Sequence, residues 1–368
     1  LSKIRPVQVD DLLRRESIEI DMAAVATALG TISATANASV SFAIGQFASA
    51  QVESGLASAD VTLDNDGSIT IGAVAFASAN WVNPTGTAVN GSASANATVG
   101  TGIFQSAVAS GFGTGTSVHL PGSAVVVNFI GNAEATVSLT NSGSIGVIAD
   151  AGATGSFALA EANIGLGIGQ YASASAASNA AASVSLTNAT GATIAVLADA
   201  VAVGTFFASA SASIGTGISQ FAFASGTVAN AAVSLVNGGT IVVDADATAS
   251  ASIAFASAFI GQGIDQSAFA TGSAGTASAI LANSGLIAIA ADASATGVVA
   301  FATAVIGTGI QQGAYGLDAG LASLTNSATI AILAEADAGN AGTATSAGAF
   351  AFIGAGISQS ATAFLTGG

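Results

Sequence analysis

Phe207–Gln220 reads FASASASIGTGISQ: Ala208, Ala210 and Ala212 alternate with polar residues, and the run closes on an Ile-Gly-x-Gly-Ile-x-Gln signature ending at Gln220. The same frame returns with its glutamine at Gln170, Gln266, Gln312 and Gln359; an earlier copy ends at Gln105 and a worn one at Gln46. The last four intervals between these glutamines are 50, 46, 46 and 47 residues. A fixed period of this size is the signature of a stacked array rather than of one globular core. Within each copy the apolar positions recur every second residue, not every third and fourth, and no charged pairs line a helical face. Each recurrent glycine would also cost a helix about 1 kcal/mol. The sequence therefore predicts an all-β fold, a parallel β-solenoid (β-helix) of about seven repeats of 46–50 residues. Each repeat offers short strands, exemplified by 193–202, 207–214, 218–225 and 228–236. The spacing leaves open whether a repeat makes one wide coil or two narrower ones.

Between the alanine-rich runs lies a second recurrent element, a strand, an asparagine corner and another strand. Its copies are LTNSGSI with Asn141, LTNATGATI with Asn188, LVNGGTI with Asn237, LANSGLI with Asn283 and LTNSATI with Asn326. Asparagine and glycine tolerate positive φ, which makes this turn chemistry. In the last copy Ala328 replaces the glycine, so a different turn is expected there.

The composition agrees with an array. Of 368 residues 7% are charged and 46 are glycine, against about 25% charged in ordinary globular domains. There is no cysteine, hence no disulfide framework and no cysteine-bound metal or redox site. The stretch closest to a membrane helix, 298–310, is too short and alternates small with large residues, as a strand does. A transmembrane β-barrel would carry aromatic girdles, and the chain has one Trp and two Tyr. Membrane insertion is not expected.

All four basic residues, Lys3, Arg5, Arg14 and Arg15, fall in the first fifteen positions, and the rest of the chain is purely acidic. A body without lysine or arginine cannot neutralise phosphate, so nucleic-acid binding is excluded for it. Residues 1–22 accordingly read as a distinct segment, either a cap over the first coil or an arm that docks on another subunit, and 23–368 as the array. Glu16–Asp21 alternates as a strand does. No signal-peptide pattern is visible and the sequence opens on Leu1, as expected of a processed or trimmed N-terminus. Loop insertions are expected near 80–90, containing Trp81 and Pro84, and 107–132, containing His119 and Pro121.

The catalytic inventory is poor. Serine nucleophiles need a base, and His119 is the single histidine, inside an insertion. β-Helical lyases and hydrolases need clustered carboxylates, often with basic partners, and no basic residue follows Arg15. The Gly-x-Gly pairs lack the Lys-Ser/Thr of a phosphate loop. No enzymatic activity is expected and no cofactor is implied, calcium aside. Three ladders matter more. Gln105, Gln170, Gln220, Gln266, Gln312 and Gln359 are expected to stack with their amides bonded along the axis, and the corner asparagines to form a second ladder. The third is acidic: Asp150, Asp199, Asp246, Asp292 and Glu335 follow the corner asparagines by nine to eleven residues. That column is either a solvated face that resists sideways sticking or a run of carboxylates bridged by a hard cation such as Ca2+.

LTNSGSIGVIAD (139–150) and LVNGGTIVVDAD (235–246), corners followed by alternating strands, resemble the repeats of bacterial secreted β-solenoid proteins. These are the filamentous-haemagglutinin-like and autotransporter-passenger adhesins and surface-fibre proteins. The resemblance spans roughly residues 30–368, carries no catalytic residues, and implies a secreted, extracellular protein of the bacterial cell surface. The expected role is a structural subunit of a surface fibre or matrix filament, a homopolymer built head to tail. Arg14, Arg15, Ile18 and Ile20 of the N-terminal segment and Phe364 and Leu365 near the other end are its expected assembly residues. The alternative is an adhesin rod binding surface glycans. An ice-binding face ranks below both, because the threonines form no regular rows.

Overall fold

The computed structural model describes residues 19–52, 55–79, 81–82, 88–89, 91–111, 116–120, 123–127, 131–340 and 346–364. Within them the chain is all-β and contains no helix. The long strands pair in parallel with the equivalent segment one repeat away: Gln170 stands beside Gln220, Gln220 beside Gln266, Asn141 beside Asn188 and Asn188 beside Asn237. One repeat is therefore one wide coil, and the fold is a parallel β-solenoid.

The coil that carries the FASASASIGTGISQ run shows the plan. Its longest element, Thr193–Ser225, is a single strand of 33 residues that bends twice and so makes three legs. The first leg is 193–204. After a bend at 204–207 the second leg, 207–214, runs to the Gly215-Thr216-Gly217 bend, and the third is 218–225. Val228–Asn237 is the fourth leg, and Thr240–Ser250 opens the next coil. First, second and third legs stack into one 12-stranded sheet and fourth legs into a six-stranded one.

Alternation decides which side chains enter. Ile194, Val196, Ala198, Ala200 and Ala202 of the first leg and Ala208, Ala210, Ala212 and Ile214 of the second are buried, while their neighbours point outward. The interior divides into two clusters. One lies between first and second legs and includes Ile218 and Leu235; the other joins third and fourth legs through Ala222, Ala224, Ala229, Ala231 and Val233. Alanine predominates because the facing legs approach closely. At the Gly-x-Gly bend the approach is tight: a Cβ on Gly217 would lie 2.6 Å from Val243 Cγ2 on the next coil's first leg. Gly167 faces Val196 in the same way at 2.6 Å. Only glycine fits such a waist.

Four boundaries and turns differ from expectation. The second insertion begins later than 107, because Ala107–Gly111 pair with Ala172–Ala176 and belong to the coil; the excursion carries an antiparallel hairpin, Thr116–Leu120 with Ser123–Val127. The first coil begins before residue 23: Glu19–Gly30 pairs along Ser68–Ala79, with Ile20 beside Ile69. The corners do not require positive φ. Among the described residues only Gly55 and Gly191 have it, and Gly191, at 84°, absorbs the two extra residues of the Asn188 corner. Finally, Ala328 leaves its corner unchanged. Asn326 Nδ2 donates to Ala328 O at 3.1 Å, as Asn283 Nδ2 does to Gly285 O at 3.1 Å.

An interior lined by buried alanines on closely facing legs leaves little room for larger side chains. Ala210→Leu is expected to lower the unfolding free energy by about 1–3 kcal/mol through overpacking, whereas outward Ser211→Ala should stay within about 0.5 kcal/mol. Denaturant midpoints of the two variants check the assignment of faces.

Candidate functional site

The inward polar side chains form two continuous amide ladders. Gln105 Nε2 donates to Gln46 Oε1, Gln170 to Gln105 and Gln220 to Gln170, each at 2.9 Å. The series continues with Gln266 to Gln220 at 2.7 Å, Gln312 to Gln266 at 2.8 Å and Gln359 to Gln312 at 2.7 Å. The same amide nitrogen reaches across to the fourth leg: Gln170 bonds Ser185 O, Gln220 Ser234 O and Gln266 Ile280 O, at 3.0 to 3.1 Å. At the corners Asn65 donates to Asn141 at 2.7 Å, and Asn141 to Asn188, Asn188 to Asn237, Asn237 to Asn283 and Asn283 to Asn326 at 2.8 Å. The two ladders have opposite polarity. Glutamine amides donate toward the coil before, asparagine amides toward the coil after.

These amides are buried and saturated, which makes them framework rather than a ligand site. The exceptions are where the ladders end: Gln359 and Asn326 are exposed. Among the described residues nothing donates to Gln359 Oε1, and Gln46 Nε2 keeps one hydrogen after its bond to Thr62 O at 3.2 Å.

The acidic residues do form a column. Asp150 stands beside Asp199, Asp199 beside Asp246, Asp246 beside Asp292 and Asp292 beside Glu335, on the outward side of the first leg. Burial raises the Asp150 carboxyl; burial and then the neighbouring Asp150 charge raise Asp199. Asp246 is raised by burial and by Asp199 and Asp292, against a hydrogen bond from Thr248 that lowers it. Sequence reading missed the most perturbed member, Asp244, two residues before the column. It is flanked by Leu197 and Ala290. Burial, followed by the charges of Asp246, Asp292 and Asp199, pushes it up to about 6. The doublet in VVDAD was the available signal. Asp265, also missed, lies on the outside of the third leg beside Ser219 and Gln311. Its Oδ1 is buried without a partner, and burial raises its carboxyl although a bond from Ser267 lowers it.

The column stands in single file. A calcium ion between two rungs would meet two side chains and draw its other ligands from water. Among the described residues no three His, Cys, Asp or Glu side chains converge as a metal-ligand group.

The expected assembly residues are not gathered into one site. Arg14, Arg15, Ile18 and Leu365 lie outside the described residues. Ile20 belongs to the first coil and packs against the core rather than standing on an arm. Phe364 is 58% exposed and donates its N–H to Gly316 O at 3.1 Å. Compared with models of known protein families, with curated proteins and with solved structures, the chain matches none of them.

Removing an inner glutamine strands the Oε1 of one neighbour, the N–H of the other and a fourth-leg carbonyl. Each such buried group costs about 1–3 kcal/mol. Gln220→Leu is therefore expected to lower stability by at least about 3 kcal/mol, and Gln359→Leu, at the exposed end, by less than about 1 kcal/mol; paired denaturation curves decide.

The pH dependence follows from the raised carboxyls. A group whose pKa rises on folding binds its proton more tightly in the folded state, so its penalty is absent below the unfolded pKa and complete above the folded one. Between the ordinary value of 3.8 and about 6, Asp244 makes the rod less stable as pH rises. Asp244→Asn should raise Tm at pH 7 and flatten the Tm profile between pH 4 and 6. A profile unchanged by the substitution would contradict the assignment.

Proposed function

We propose that this chain is a structural rod, the subunit of an extracellular fibre or matrix filament, and that one copy stacks its first coil on the last coil of another. One observation carries this reading. Among the described residues Ser346–Ala363 pairs with Val299–Gly316 along one edge only, and its core-facing Ala347, Ala349, Ala351 and Ile353 are exposed. The first coil has the complementary condition, since among the described residues Glu19–Gly30 and Ser33–Val52 each pair on one side. An unpaired strand edge is a template for another chain. The glutamine ladder supports the same orientation: an acceptor is free at Gln359 and a donor at Gln46, so a second copy extends the ladder without reversing its polarity. A heterologous contact of this kind does not close and generates a filament. Among the described residues no arginine or lysine occurs, and the four basic residues of positions 1–15 supply the charge that an acidic neighbour attracts. The extracellular, cell-surface setting rests on the resemblance of the corners to secreted solenoid repeats.

A second reading, an adhesin rod, is favoured by a row of aromatic rings outside the third leg. Tyr171 stacks on Phe221 with centroids 5.5 Å apart and Phe269 on Tyr315 at 4.7 Å, while Phe221 and Phe269, also 5.5 Å apart, are tilted by 33°. Such flat apolar faces, with a hydroxyl tip at Tyr171 and at Tyr315, suit sugar rings.

Negative-stain microscopy of the purified chain tests the first reading. Uniform filaments are expected, and Ala349→Glu with Ala351→Glu should leave β-rich single rods, because two charges would enter the joint. Wild-type rods that stay single at high concentration, or filaments indifferent to both glutamates, would favour the adhesin.

A further inference from the structure

The outward side chains of the second leg change character along the rod. In the first two coils they are Ser33, Thr35, Asn37 and Ser39, then Ser92, Ser94, Asn96 and Thr98. In the last three coils the same columns carry Phe255, Phe259, Phe301, Phe350 and Phe352, which are 39% to 56% exposed. Ser257, Thr303 and Val305 stand between them, and no charged residue does. The rings are ordered. Phe255 stacks on Phe301 with centroids 5.6 Å apart and planes at 13°, and Phe350 on Phe352 at 6.2 Å and 16°. The Phe301 ring leans over Gly348, where a Cβ would fall 3.0 Å from it.

The outside of the first leg bears the acidic column, and the chain has a formal net charge of −16. Two copies that approach through first legs set carboxylates against carboxylates. Through the aromatic face they bury rings and desolvate no charge. We propose that the second-leg face of the last three coils is an interface with a second copy of this chain, the rods packed side by side about a two-fold axis. A two-fold contact suits one self-complementary patch, here the Phe255 and Phe301 rings beside the smaller Ser257 and Thr303, with Phe350 closing that column in the last coil. Seven residues by three rungs measure about 23 Å by 14 Å, or about 300 Å2 per partner. That falls well short of the roughly 800 Å2 per partner of a standard stable interface. Single rods therefore pair weakly, and rods joined end to end pair firmly because each subunit repeats the patch. That last step alone rests on the filament reading.

The chain has no cysteine, so a single introduced thiol reports one contact. Under mild oxidation Thr303→Cys, at the centre of the patch, is expected to form covalent dimers at least fivefold more than Thr248→Cys on the acidic side. Ser257→Cys, one rung away, is the second reporter should the first misfold. Adding Phe255→Ser and Phe301→Ser should abolish the excess. Equal crosslinking on both faces, or crosslinking indifferent to the two serines, overturns the proposal. End-to-end stacking leaves copies of Thr303 about seven rungs, or roughly 34 Å, apart. Loss of the excess with filaments intact thus sinks the lateral interface alone, and single rods that still crosslink sink the filament reading alone.

Discussion

Parallel pairing of each leg with the same leg one repeat away is the constraint from which the rest follows. Because the backbone bonds run along the axis, like sits above like, and any side chain that recurs becomes a column. Apolar columns give a core without further design; polar columns must bond to themselves or pay desolvation in full. Glutamine and asparagine meet that demand because one amide donates and accepts at once, so each satisfies its own copy above and below. A buried serine offers one hydrogen, and a buried carboxylate none. The inward polar columns are accordingly amides, and among the described residues the acids stand on the outside.

Much of this was legible in the sequence. Alternation by two marked Ala208, Ala210 and Ala212 as one face, and the even return of Gln220 and Asn237 marked both ladders. Offsets of nine to eleven residues from the corner asparagines located the carboxylates of Asp150 to Glu335. Periodicity alone cannot report how far the chain travels before it meets itself, so the single wide coil had to be seen. The purpose of the corner and bend glycines was also hidden. Their absent Cβ matters through neighbours such as Val243 on another coil, whereas a sequence reading assigns them to φ. Asp244 escaped because its perturbation comes from burial and from charges that include Asp292 and Asp199 on adjacent rungs, which are 48 and 45 residues away. The aromatic face escaped for a related reason: Phe255, Phe301 and Phe350 look like scattered residues until three coils are laid side by side.

The outer surface divides its labour by leg. First legs collect carboxylates, while second legs of the last coils are uncharged and aromatic. For the proposed lateral contact, charge on one side and its absence on another would restrict association to a few directions, a form of specificity achieved by exclusion. Protonation of the raised carboxyls would relax that restriction in acid.

The orientation of the backbone bonds has a mechanical meaning. Strands lie across the axis, so tension along the rod loads the bonds between two coils together and not one after another. Adjacent coils such as Ser144–Ala176 and Thr193–Ser225 are joined along nearly their whole length, and the two amide ladders add bonds with the same direction of pull. Rupture therefore requires many weak links to fail at once, in any of several equivalent planes. A rod of this kind is stiff up to a high threshold and then opens between coils, which stay tethered by the continuous backbone and can close again on the same edges.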